Sequence, residues 1–132
     1  MLKILAALPP ALFMAMMAQP PAQAPTIPPE AAAVTNPVKP TPESLAHAKT
    51  IFGIDCAICH GQKGDGKGEV VEELKLKMKD FTDPSVLKDR TDGELFYIIK
   101  NGDSAQKMPA EGPRAKDNDI WALVNYLRTL QK

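Results

Sequence analysis

From Thr41 onward, apolar residues recur at helical spacing in separate, well-punctuated stretches. Between Glu43 and about Gly53 they fall at Leu45, Ala48, Ile51 and Phe52, three and four apart as on one helix face. Thr41-Pro42 suits the start, because Thr caps orphan N–H groups and Pro lacks an N–H that would go unpaired. Asp83-Pro84 repeats this signal and predicts a short helix near Ser85 to Lys88. Thr91-Asp92-Gly93-Glu94 is a capping box followed by the apolar run LFYII, with a stop at Asn101-Gly102. Asp117 is positioned to cap a last helix through DIWALVNYLRTL, whose Ile120, Leu123, Val124, Leu127 and Leu130 form one stripe. Alternation appears only at Leu74, Leu76 and Met78, a short stretch that ends in charge. The pattern predicts an all-α fold with long ordered loops and no internal repeat.

The N-terminal part follows a different pattern. Lys3 precedes an apolar run from Ile4 to Ala18, interrupted by Pro9-Pro10 and followed by small residues. This is the layout of a signal peptide and is short for a membrane span. Residues 1–24 are therefore read as an export signal with cleavage after Ala18 or Ala24; an uncleaved anchor is the alternative. Both put the main body outside the cytoplasm, in the periplasm. Residues 20 to 42 hold eight of the thirteen prolines, which excludes a helix interior or a sheet core. Residues 25–41 are accordingly expected to be a proline-rich linker with little contact with the rest. An arm packed on the domain is the other possibility. The folded domain is residues 42–132.

Length and composition narrow the chemistry. A chain of 132 residues suits one domain. With 16 basic and 16 acidic side chains, nothing marks it for nucleic acid or an anionic membrane surface. Aromatic residues make up only 5%, so a domain of this size is short of core-filling area. Another large apolar body is needed.

The chain's two cysteines and a histidine meet in IDCAICHGQKGDGKG, residues 54 to 68. Four chemistries compete for it. Structural zinc requires about four N/S ligands, but beyond Cys56, Cys59 and His60 only His47 remains, and adjacent Cys59 and His60 suit one tetrahedral ion badly. A thioredoxin-like dithiol needs a βαβ context, which the helical pattern contradicts. A phosphate loop needs a hydroxyl where Gly68 stands and a strand before it. Covalent haem attachment accounts for each part: two thiols three apart add to two porphyrin vinyl groups, and the next histidine reaches the iron. The porphyrin is also the missing apolar body. GQKGDGKG is then a flexible turn leading the chain around the haem edge.

These residues resemble the class I (mitochondrial-type) cytochromes c, in particular the small bacterial periplasmic monohaem members. The resemblance spans about residues 42 to 132 and rests on CAICHG, on KMPA (Lys107 to Ala110) and on the closing helix IWALVNYLRTL. Phe52 and Tyr126 match aromatic positions of that family, and Ala48 lies where it usually has glycine at a helix crossing. The family often orients its histidine through a downstream proline carbonyl. No proline lies between His60 and Pro84, so the sequence names no partner for His60.

The resemblance implies one haem c bound through Cys56 and Cys59, with His60 and a distant second residue as iron ligands. Past the signal, Met78, Met108 and His47 are the candidates. Met108, followed by Pro109 in an irregular stretch, is the expected ligand. Met78 reads as a core gap-filler, and His47 as a solvated residue off the apolar stripe. Arg90 suits a haem propionate or plain solvent. Five lysines and five acids in segment 61 to 80 give no strongly basic docking face. The implied function is a monomeric electron-transfer protein of a periplasmic respiratory chain, not an enzyme, serving redox partner proteins. Two alternatives stay open: a haem enzyme or sensor with an open sixth position for peroxide or a small gas, and a haem-bearing module tethered to a membrane oxidoreductase complex.

Overall fold

The computed structural model describes residues 24–132. The expected export signal, apart from Ala24, lies outside the described residues. The chain forms α1 (Pro29–Ala32), α2 (Pro42–Ile51), α3 (Ala57–His60), α4 (Pro84–Leu87), α5 (Asp92–Asn101) and α6 (Asp117–Leu130). A π-helical turn, Phe52–Cys56, joins α2 to α3, and a 3-10 turn spans Ser104–Gln106. Among the described residues no strand forms; Asp103 and Met108 make an isolated antiparallel bridge. The fold is all-α, as the periodicity predicts.

The local signals act where they were read. Thr41 Oγ1 accepts from the Ser44 N–H, and the Ser44 hydroxyl accepts in return from the Thr41 N–H. Asp83 accepts from the Ser85 N–H at 2.8 Å and opens α4. Thr91 and Glu94 complete the second capping box, and Gly102, at φ 76°, ends α5. α6 differs by one residue. Its N-cap is Lys116, which makes no side-chain cap bond, while Asp117 sits inside the first turn and accepts from Lys100 Nζ at 2.8 Å. There the carboxylate still favours the positive end of the helix.

The principal packing is α2 against α6, with α5 also lying on α6. α2 contributes Ala48, with no exposed surface, and α6 contributes Ile120, Leu123 and Val124, each 1% exposed or less. Phe52 reaches Tyr126 with ring centroids 5.4 Å apart.

The proline-rich arm departs from its expected isolation. α1 packs on α5, and the Thr91 hydroxyl donates to the Ala32 carbonyl at 2.7 Å. Asn36 Nδ2 donates to the Trp121 carbonyl and to Asn125 Oδ1, and Asn125 Nδ2 donates to the Val38 carbonyl at 2.8 Å. The physical reason is that prolines lack N–H groups and cannot join a ladder, so side chains make the bonds in both directions: Thr91 and Asn125 donate to the arm's carbonyls, and Asn36 of the arm donates back. Gly93 permits the approach: a Cβ there would sit 2.2 Å from the Ala31 carbonyl oxygen. None of the described helices is long and apolar enough to cross a membrane.

Candidate functional site

The α2 helix does not simply stop before the cysteines. It widens into the π turn, closed by the Ala57 N–H on the Phe52 carbonyl, a distortion that often marks functional positions. The turn keeps Phe52 in the core while leaving Ile54 72% exposed. α3 then carries Cys59 and His60 to the edge of a large hollow.

That hollow is a cavity of about 700 Å³, within the roughly 300–1,000 Å³ usual for small-molecule and cofactor sites. Cys56, Cys59, His60 and Met108, far apart in sequence, all line it, with Leu95, Ile99 and Leu123 among its apolar walls. Both cysteines are half-buried and unpaired. Burial, and next the Glu111 and Asp55 carboxylates, push the Cys56 thiol up to about 12. Burial lowers the His60 pKa, which favours the neutral imidazole. His60 Nδ1 is shut away from solvent with no hydrogen-bond partner among the described residues. Its ring stacks on Phe81, centroids 4.9 Å apart and planes at 24°.

The glycine-rich turn is more constrained than the flexible segment expected. The Gly66 N–H donates to the His60 carbonyl at 2.8 Å, and the Phe81 N–H donates to the Gly64 carbonyl at 2.7 Å. Gly66 has φ 74°, and a Cβ there would lie 3.0 Å from the Lys79 carbonyl oxygen. Its glycines serve backbone geometry rather than phosphate or looseness.

Met108 stands at the end of a pinned loop. Asp103 and Met108 exchange two N–H···O bonds, each 2.9 Å, and Lys107, in the left-handed region at φ 58°, donates from Nζ to the Leu74 carbonyl. Met78 also lines the cavity, from a stretch (residues 76–80) with no regular secondary structure. Both methionines therefore line the same cavity as the cysteines, and lining alone does not separate them. His47 is outside the cavity, with its Nε2 3.2 Å from Asp119 and its side chain 59% exposed. Arg90 lines the cavity while pairing with Glu94 at 3.3 Å.

Sequence reasoning missed one pair. Glu111, 5% exposed, binds Arg114, and both line the cavity. A glutamate three residues before an arginine, just after KMPA, was the available signal.

The residues fit a covalently attached haem. Two accessible thiols, a neutral imidazole with one nitrogen closed off, and a thioether all face one largely apolar hollow. Among the described residues, no cluster of three or more His, Cys, Asp or Glu side chains offers a separate ion site.

Residues 43–127 match the family model described as Cytochrome C oxidase, cbb3-type, subunit III. Over 80 residues the chain is 38% identical to the cbb3-type cytochrome c oxidase subunit FixP of Azorhizobium caulinodans, covering 61% of this chain and 25% of that one. It thus spans about a quarter of that relative's length. It is 34% identical over 85 residues to cytochrome c6 of Cladophora glomerata, covering 64% of this chain and 87% of that one. Among solved structures, a chain of the Kuenenia stuttgartiensis reducing HAO-like protein complex superposes with a TM-score of 0.64 at 24% identity. That match covers 75% of this chain and 50% of the other, and it concerns the fold alone.

Proposed function

Because the chain belongs to the cytochrome c family represented by that subunit III model, and membership implies a covalently bound haem c, we propose that it is a single-haem electron carrier of the periplasm. The observation that supports this most is the convergence of Cys56, Cys59, His60 and Met108 on one apolar cavity. Haem c, when bound, supplies a one-electron iron couple. Cys56 and Cys59 are the attachment thiols, and His60 is the ligand from α3. Met108 is the second ligand rather than Met78, because its backbone is fixed by the bridge to Asp103 whereas Met78 sits in a stretch without regular structure. Histidine and methionine together favour a raised potential and leave no open position for substrate. Haem seated against the apolar walls would leave little water at the site, so a change of charge would demand little rearrangement of solvent. Arg90 is a candidate for a propionate contact.

The test is optical. The oxidised protein is expected to show a weak far-red sulfur-to-iron band, which Met108→Ala abolishes while opening rapid cyanide binding. Persistence of the band in that variant transfers the role to Met78; its absence from the unaltered protein overturns the carrier reading in favour of an open site. Intact mass of the exported protein reports the attached haem and the cleavage position together.

A second reading, a haem-bearing module of a membrane oxidoreductase complex, is favoured by the likeness to FixP. Recovery of the chain in membranes, with its N-terminus uncut and a partner attached, distinguishes it from the free carrier.

A further inference from the structure

Metal-bound histidines ordinarily donate their second ring N–H to an acceptor, which sets the ring's orientation and raises its basicity. His60 lacks that device: its Nδ1 is buried with no partner among the described residues. Its surroundings are aromatic instead. Phe81 stacks on the ring at 4.9 Å, and Phe52 lies tilted at 6.4 Å. The same turn grips both stacked residues, for Gly66 holds the His60 carbonyl and Gly64 accepts the Phe81 N–H.

We propose that Phe81 is the positioning residue for His60, orienting it by stacking, and that the unpartnered Nδ1–H makes this imidazole a weaker electron donor, raising the midpoint potential of the protein. The inference rests on the ligand assignment above. Without an acceptor drawing on the N–H proton, the ring acquires no imidazolate character. The oxidised state, which gains most from a strong donor, loses more than the reduced one. Phe81 supplies the orientation that a carbonyl would otherwise supply, through a flat contact that leaves basicity untouched.

The experiment uses the full-length, haem-loaded protein labelled with ¹⁵N. In the reduced state, the His60 Nδ1–H resonance is expected upfield of hydrogen-bonded imidazole N–H signals, with no coupling to a carbonyl carbon. Phe81→Gln, which brings an amide oxygen beside the ring, shifts the redox equilibrium about tenfold toward the oxidised state, equivalent to about 59 mV for one electron. Phe81→Leu leaves the potential near its original value but alters the paramagnetic shifts of the His60 ring protons. A carbonyl-coupled or water-bridged Nδ1–H overturns the inference, as does an unmoved potential in a Phe81→Gln protein whose Nδ1–H resonance has moved into the hydrogen-bonded range. Unchanged ring shifts in Phe81→Leu likewise remove Phe81 from the role. Should Phe81→Gln fail to fold, the resonance in the unaltered protein still decides. Loss of the underlying ligand assignment looks different: no haem in the intact mass, or no iron-bound histidine signals at all.

Discussion

Ala48 has no exposed surface on the helix that packs most on α6. It belongs to the core cluster to which α6 contributes most, so enlargement meets packed neighbours. Ala48→Leu is expected to destabilise the protein by about 1–3 kcal/mol through overpacking. Ala48→Gly costs less, about 0.5–1 kcal/mol, because it loses helix propensity without creating a clash. Urea unfolding of the loaded protein measures both; a leucine variant as stable as the original would mean the crossing is looser than described. Cys56 and His60 illustrate the same dependence on surroundings. Burial holds each in its neutral form, thiol and imidazole, the first by raising its pKa and the second by lowering it.

At the scale of elements, the readable features were those written in neighbouring residues. The Thr91–Glu94 capping box joins groups three residues apart, and the stripe of α6 repeats every three to four. The Cys56–Cys59 spacing, read as an attachment motif, is likewise local. What escaped depends on partners remote in sequence: the Asn36 contact with Trp121 crosses 85 residues, and no local pattern encodes it. The π turn escaped because its extra residue preserves an ordinary helical composition. Met108 and Met78 both reach the cavity, and the sequence preference for Met108 rested on Pro109 and the irregular stretch between Gly102 and α6. The arm's docking makes a conditional prediction. Gly→Ala within a helix usually stabilises by about 0.5–1 kcal/mol, yet a Cβ on Gly93 collides with the Ala31 and Val34 carbonyls, 2.2 and 2.9 Å away. Gly93→Ala should therefore destabilise the full chain and become neutral or stabilising once residues 24–40 are removed. A double-mutant cycle by thermal unfolding reads this coupling, and additive effects would show that the arm does not press on α5.

The whole molecule is built around its hollow. With nothing filling it, a hollow of about 700 Å³ leaves its apolar lining without packing partners, and water entering from the open side cannot replace those contacts. A chain with Cys56→Ala and Cys59→Ala, made without haem, is expected to collapse or lose fixed tertiary packing. Near-UV circular dichroism should be lost with some helix retained, and a sharp cooperative transition would contradict this account. The pairing of α2 with α6 has a different consequence, for what happens when the chain is severed. These helices come from opposite ends of the domain and bind each other directly, whereas the stretch between α3 and α4 runs through exposed positions such as Lys75. A single tryptic nick after Lys75 should leave two fragments that travel together on a sizing column and part only in denaturant. The continuity of the backbone there is dispensable to the assembled molecule, and the two halves could be made separately and mixed.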